Sequence, residues 1–509
     1  MTTIGSSLSY SAARTPDAPA LCCGEQRLSY RELDEVVNRL ARGFADHGLS
    51  KGDRCVLVSG NSIEFVLAFY AAARLGAIVV PVNPQSAAPE IAHIVSDSGA
   101  AMVLSEPGPA AAVDEALAHL GTAGTVTRLL LGPGEHGPDA LEASREHSSL
   151  PLDVQVNESD DALIVYTSGT TGLPKGVLMD HHRLLWAGVA ISLGTAGISD
   201  SACLLHVAPL YHSGQLTLML ISGIMLGAKH VILPRFEPRT VVETMAREKV
   251  TAFFGVPTMY QLMLDAQAEL KLDLSSWTSG FYGAAPMPAP LAARIQNEIP
   301  HARIYSFFGQ TEAGPNGIYS RPAEVAARPD VTGYRATPMM AVRIVDSDGS
   351  DVRPGQVGEV LLRGESVMKG YWNNPAATAE TLRDGWLHTG DLARLDDDGG
   401  MTIVDRIKDM IISGGRNIYS AEVESAVATH PAVADCAVVG RPHEVYGETV
   451  VAVVTPVPGQ TLTIEDLRAH CASLLADYKL PRQLVVAPIP RNLSGKILKR
   501  AIRDDLLAD

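Results

Sequence analysis

The 509-residue chain reads as an α/β protein. It has a large N-terminal domain of two mainly parallel sheet layers with helices and a small β-rich subdomain, then a smaller α+β C-terminal domain. Three observations predict this. Before Thr332, short β-rich runs alternate with helical patterns, which implies parallel sheet covered on both faces. From Thr332 the runs read as antiparallel strands joined by Asp/Gly turns. After Asp409 the pattern becomes helix, strand, strand, helix over about a hundred residues, an acceptable size for an independent domain. The expected bounds are 1–407, with the β-rich part at about 332–407, and 408–509. The length itself calls for roughly two to four domains or subdomains.

In chain order, Tyr30 to His47 carries apolar residues at helical spacing and Arg54 to Ser59 reads as a strand. Ile63 to Leu75 is a helix, and Ile78 to Val82 is a strand ended by Pro81 and Pro84. Met102 to Ser105, Ala162 to Tyr166, His230 to Leu233 and Ala252 to Val256 repeat the strand pattern. Gly132 to Asn157, rich in Pro, Gly and Ser, is expected to separate the two layers. Val342 to Val345, Gly358 to Leu362 and Met401 to Val404 form the β-rich part, with turns at Ser347-Asp348-Gly349 and Asp397 to Gly400. Ala421 to Thr429 is a helix stopped by Pro431. Cys436 to Val439 and Glu448 to Val454 are strands, and Ile464 to Leu475 is a helix.

Apolar residues make up 46% of the chain, enough for ordinary packing. The 41 basic and 57 acidic residues leave a formal charge of −16. That argues against general nucleic-acid or anionic-membrane binding and leaves room for a local positive site. Cys22, Cys23, Cys55, Cys203, Cys436 and Cys471 form no C-x-x-C pair. They read as small apolar residues of a reducing compartment. Met1 to Tyr10 lacks a basic segment leading into an apolar stretch, so no signal peptide is expected. The longest apolar region, Leu216 to Gly227, is glycine-broken and too short to span a bilayer. The expected location is the cytoplasm, without stable membrane insertion; a homodimer is compatible with the sequence.

The most informative run is Thr167-Ser168-Gly169-Thr170-Thr171-Gly172-Leu173-Pro174-Lys175-Gly176, directly after an apolar strand. Glycines let backbone N–H groups approach a ligand, hydroxyls add donors and the lysine adds charge, a set suited to a polyphosphate. It is not the common P-loop, because Pro174 precedes Lys175 and Gly176 follows it. Alone, the run would equally fit a solvated linker. Five further motifs follow in order: Ala208 to His212, Gly309-Gln310-Thr311-Glu312, Gly385 to Asp391, Asp405 to Asp409, and Pro490 to Lys496. Together, and in this order, they resemble those of the adenylate-forming superfamily, which comprises acyl-CoA synthetases, firefly-type luciferases and peptide-synthetase adenylation domains. The resemblance covers nearly the whole chain.

The resemblance implies that a carboxylate is joined to the α-phosphate of ATP, with pyrophosphate released. Both reactants are anionic, so such a site must neutralise charge and align the attack. It assigns Thr167, Ser168, Gly169, Thr170, Thr171 and Lys175 to the phosphate loop, Thr311 to a phosphate contact and Glu312 to Mg²⁺. By itself Thr-Glu would read as a helix start. Phe308 on one side and Gly283-Ala284-Ala285 on the other match the adenine contacts, and Asp391 and Arg406 the other nucleotide contacts. Lys496 matches the lysine set between carboxylate and α-phosphate, a role suited to a compact ammonium; its basic neighbours Arg491, Lys499 and Arg500 would otherwise read as a solvated tail. Lys408 matches the hinge of a mobile C-terminal domain, and Gly414-Gly415 the turn placed against the CoA thiol. Ser420 stands where many relatives have proline, and can still cap the next helix.

His212 matches a residue lining or gating the acyl pocket. Gly309 stands where acetate-type synthetases carry tryptophan, which implies an acid larger than propionate. No aspartate lies between Leu204 and Ser222 to hold an α-ammonium, which favours a plain carboxylic acid over an amino acid. The reading is an acyl-CoA synthetase using ATP, Mg²⁺ and CoA. An acyl-AMP ligase loading a carrier-protein pantetheine and a non-catalytic acyl- or nucleotide-binding homologue remain as alternatives.

Overall fold

The computed structural model describes residues 2–121, 124–167, 173–195, 197–285, 287–491 and 497–508. The chain divides into two compact units, Met1–Val342 with Leu361–His388, and Arg343–Val360 with Thr389–Asp509. The strands Met340–Val345, Val357–Gly364 and Trp386–Leu395 run through the points of division. The expected boundary at Lys408 falls inside the second unit.

The first unit holds two large sheets, as expected. One orders its strands Gly370–Tyr371, Lys175–Asp180, Asp161–Thr167, Ile78–Val82, Arg54–Val58, Met102–Ser105 and Thr127–Leu130. The last five of these run parallel. Val56, Val58, Val80, Val82 and Val103 are all nearly or fully buried and pack with Ile91, Ile94 and Val113 of the flanking helices. Continuous valine runs are what a parallel sheet buried on both faces requires. The Gly132 to Asn157 stretch does not separate the layers: the strand after it, Asp161–Thr167, returns to pair beside Ile78–Val82.

The second sheet runs Arg335–Ala336, Gly317–Ser320, Arg303–Gly309, Ser279–Gly283, Ala252–Gly255, Cys203–His206, Lys229–Ile232, Pro19–Cys23 and Gln26–Ser29. Its middle is parallel and both ends are antiparallel. The helix Tyr30–Asp46 starts at Ser29, whose hydroxyl accepts from Glu32 N while the Glu32 carboxylate accepts from Ser29 N. This reciprocal cap satisfies two orphan donors. Its stripe Leu33, Val37, Leu40, Ala41 and Phe44 is wholly buried, each large side chain contributing about 1.5–3 kcal/mol of gross burial. The apolar region Leu216 to Gly227 folds as a wide π-helix, Gly214–Ile221, continuing into the α-helix Ser222–Leu226. No described helix is long and apolar enough to cross a membrane.

Three histidines in this unit are buried and held neutral. His181 Nδ1 accepts from Ile4 N at 3.2 Å and so caps the helix Ile4–Arg14; burial pushes its pKa from 6.5 down to about 4. His206 Nε2 lies 2.8 Å from His230 Nδ1, and burial lowers His230 to about 3. The unfolded chain therefore binds more protons than the folded one below pH 6.5. This stability is complete above 6.5 and is lost as pH falls toward the folded values. His181→Asn, which retains an acceptor, should flatten the fall in denaturation free energy between pH 6.5 and 5 by up to about 1.4 kcal/mol per pH unit. An identical pH slope in variant and wild type would contradict the assignment.

In the second unit, Val433–His443 pairs antiparallel with Gly447–Pro456, which also pairs parallel with Gln483–Val486. Alternate residues face opposite sides of these strands. Cys436, Val438, Val450, Ala452 and Val454 pack with Val423, Val427 and Leu467 of the helices Ser420–Ala428 and Ile464–Cys471. Ala437, Val439, Val451 and Val453 pack with Ile502 and Leu506 of the helix Lys499–Ala508. The basic run is therefore no solvated tail. Lys499 Nζ lies 2.7 Å from Glu424 Oε1 and Arg503 3.1 Å from Asp409, both partners largely buried; Arg491, 2.8 Å from Asp435, and Arg500 beside Asp504 pair with more exposed carboxylates.

Candidate active site

Thr167 and Lys175 face each other across an antiparallel hairpin, the last and first residues of their strands. The sequence run thus lies between two paired strands. Ser168, Gly169, Thr170 and Thr171 lie outside the described residues, as does Lys496. Gly176 has no room for a side chain: a Cβ there would come within 2.7 Å of Ile164 and 3.3 Å of Trp372. That close packing brings Gly370–Tyr371 alongside Lys175–Asp180.

Tyr371 links the next motif. Its ring lies 5.1 Å from Lys175 Nζ, and its hydroxyl donates to Glu312 Oε1 at 3.0 Å. Burial first, then the Glu312 charge, raise the Tyr371 pKa, so it remains a donor. Met368 N donates to the Glu312 carbonyl at 2.8 Å. Glu312 sits on the tight turn Thr311–Ala313, and Gln310, not Thr311, occupies its cap position. The Thr311 hydroxyl is instead 2.9 Å from Ser213 Oγ, next to His212. His212 is itself exposed, and desolvation by the protein beside it lowers its pKa. Asn61 fixes this segment from behind, donating to the Ala208 carbonyl at 3.0 Å and accepting from Leu210 N at 2.8 Å.

Phe308 is half-buried at the end of Arg303–Gly309. Gly283 lies opposite Phe307 in the parallel pair, and its Cβ would be 2.7 Å from the Phe307 carbonyl oxygen. Ala284 follows at φ +65°, a left-handed conformation rare for a residue with a Cβ, and Ala284 and Ala285 are exposed. Gly309 has no room for a side chain on its own backbone. Its Cβ would stand 2.0 Å from the Pro315 carbonyl oxygen and 2.8 Å from that of Asn316. Gly309→Ala should therefore cost about 3 kcal/mol through forced backbone movement, read as a lowered melting temperature. A variant as stable as wild type would contradict this close approach. Gly309→Trp would disturb the same turn and cannot report cleanly on acyl size.

The other predicted residues belong to the second unit. Asp391 and Arg406 are paired across neighbouring antiparallel strands, with Nε to Oδ1 at 3.0 Å. Asp391 is buried. Lys408 follows on the turn; desolvation first, then the Arg406 charge, lower its pKa. Gly414 and Gly415, at φ +58° and +73°, form the two-residue turn between Ile411–Ser413 and Arg416–Ile418. Two left-handed residues in succession demand this pair, and both are exposed.

The first unit thus gathers Thr167, Lys175, Thr311 and Glu312, with His212 beside them, and the second gathers Asp391, Arg406 and Lys408. Tyr371, Ser213 and Asn61 were not singled out from sequence. Ser213 directly follows a recognised motif and could have been. Tyr371 and Asn61 reach the site only through tertiary pairing, which no local spacing reveals.

A family model described as AMP-binding enzyme matches residues 8–372, and one described as AMP-binding enzyme C-terminal domain matches 422–496. A feruloyl-CoA synthase from Amycolatopsis sp is 38% identical over 97% of this chain and 96% of its own. An indoleacetate–CoA ligase from Aromatoleum aromaticum is 35% identical over 97% and 96%. The solved structure of a Mycobacterium tuberculosis fatty acyl CoA synthetase is 33% identical, with a TM-score of 0.81 over 99% of this chain and 98% of that one. The chain belongs to the AMP-binding enzyme family and, within it, to the AMP-forming acyl-CoA synthetases.

Proposed function

We propose that the protein activates a carboxylic acid larger than propionate with MgATP, giving acyl-AMP and pyrophosphate, and then transfers the acyl group to the thiol of CoA. The observation that carries this reading is the Lys175–Tyr371–Glu312 chain with Thr311 beside it, which joins residues of three separate sequence segments in one polar cluster. The named relatives are called feruloyl-CoA synthase, indoleacetate–CoA ligase and fatty acyl CoA synthetase, and feruloyl and indoleacetate groups are larger than propionate.

In the first half-reaction Lys175, Thr167 and the loop hydroxyls neutralise and orient the β- and γ-phosphates. Thr311 contacts phosphate, and Phe308 and Gly283 to Ala285 border the base. Asp391 accepts from the ribose hydroxyls once Arg406 yields its hydrogen bond, and Lys496 balances charge between carboxylate and α-phosphate. Mg²⁺ fits the donor set. Glu312 keeps one carboxylate oxygen beyond its bond from Tyr371, and the neighbouring groups are hydroxyls, hard oxygen ligands of the kind Mg²⁺ takes alongside water and phosphate. Among the described residues no cluster of three or more His, Cys, Asp or Glu could hold an ion alone, so Glu312 would hold it together with phosphate oxygens. When bound, the ion supplies neutralisation of the departing pyrophosphate. In the second half-reaction a rotation about Lys408 withdraws Lys496 and brings the Gly414-Gly415 turn to the thiol. His212 borders the acyl group. The six cysteines are all free thiols, which supports action in the reducing cytoplasm.

The test is a panel of acetate, hexanoate, hexadecanoate, ferulate and indoleacetate, each with MgATP, followed separately with CoA and with a pantetheinylated carrier protein. AMP and an acyl-CoA should form with at least one acid above propionate. Thioester on the carrier protein alone, or acetate ranking first, would overturn the reading.

A further inference from the structure

The departure at Ser420 builds something. Tyr419 is the cap of the helix Ser420–Ala428, so Ser420 is its first helical residue, fully buried, and its N–H would otherwise lack an intrahelical acceptor. Asp405, from the strand leading into Lys408, supplies that acceptor through Oδ2, and the same oxygen accepts from Ser420 Oγ at 2.8 Å. Ser420 Oγ in turn accepts from Lys499 Nζ at 2.7 Å, and Lys499 also meets Glu424. An ammonium only donates and a carboxylate only accepts. A hydroxyl is the group that can connect them, accepting from one and donating to the other.

One turn further along the C-terminal helix, Arg503 reaches Asp409, the residue after Lys408. The helix that begins three residues beyond Lys496 is thus fastened on both sides of the proposed hinge, to Asp405 through Ser420 and to Asp409 directly. Proline at 420 would suit the first helical position but would have neither the N–H nor the hydroxyl.

We propose that Ser420 is a positioning residue for acyl-AMP formation, linking the hinge strand at Asp405 to Lys499, the first residue of the helix that follows Lys496 in sequence. This rests on the reading of Lys496 and Lys408 above. It is tested in the full chain with Ser420→Pro, Ser420→Ala, Lys499→Met and the Ser420→Ala/Lys499→Met double variant. Two rates are measured: pyrophosphate release with the acid that ranks first in the panel, and thioester formation from that acid's pre-formed acyl-AMP with CoA.

Acyl-AMP formation should fall about 10- to 100-fold in kcat, as for a misplaced reacting group, with KM for ATP and acid little changed and the thioester rate preserved. The double variant should be no slower than the slower single one, since both break the same link. The inference is overturned if Ser420→Pro adenylates at the wild-type rate, if both half-reactions fall together with the melting temperature, or if the single effects multiply. A wild-type protein that releases no pyrophosphate with any acid overturns the functional reading and this inference with it; an active wild type with an unaffected Ser420→Pro overturns this inference alone.

Discussion

Replacing Lys496 by alanine should lower acyl-AMP formation by about a hundredfold or more while pre-formed acyl-AMP is still converted to thioester. The acid and the α-phosphate are both anions, and their approach concentrates negative charge between them. A compact ammonium placed there is worth more as the bond forms than before it, which is the condition for a gain in rate. Lys496→Arg should recover only part of the loss, because a planar, more diffuse charge cannot occupy the same point. In the second half-reaction no such charge develops at that lysine, so its removal should pass unnoticed. Wild-type pyrophosphate release by Lys496→Ala would overturn the assignment, as would an equal loss in both half-reactions.

Glu312→Gln should be comparably severe. Glutamine preserves the shape of the side chain and can still accept from Tyr371 Oη, which lies 3.0 Å from Glu312 Oε1, so the turn Thr311–Ala313 should persist and the melting temperature should hold. What is lost is one negative charge beside the phosphates. With a single carboxylate offered to Mg²⁺, kcat/KM for MgATP should fall by about a hundredfold, in the range of losing one preorganised electrostatic group. The dependence on Mg²⁺ concentration should move upward. Tyr371→Phe removes only the orienting hydrogen bond and should cost severalfold at most. A Glu312→Gln variant within severalfold of wild type at low Mg²⁺ would show that this carboxylate does not hold the ion.

Much of the architecture was legible because burial writes itself into the sequence. The valine runs at 54–58 and 78–82 and the stripe from Leu33 to Phe44 carry their period openly. The hairpin Pro19–Cys23 with Gln26–Ser29 was not, since its apolar run is short and gives way to the exposed Gly24 to Arg27, and the pairing that buries Leu21 lies with Lys229–Ile232, some two hundred residues away. The assignment of Gly132 to Asn157 as a layer boundary failed for a related reason: strand order is set by tertiary pairing, and composition records only that a segment is exposed. At the site, glycine, hydroxyl and carboxylate motifs pointed to the gathered cluster, yet Tyr371 and Asn61 have ordinary local sequence. Gly309 shows the converse, a motif residue whose identity has a backbone cause that only three dimensions disclose. The basic cluster around Lys499 was ambiguous because ion pairs with Glu424, Asp409 and Asp435 span 56 to 94 residues.

The helix Lys499–Ala508 also bears on how the chain's end can be handled. Its Ile502 and Leu506 cover Ala437, Val439, Val451 and Val453 on one side of the sheet. A protease cut upstream of Lys496 would strip that cover as well as Lys496, leaving a bare valine surface prone to self-association. Loss of activity after C-terminal trimming should therefore arrive together with precipitation.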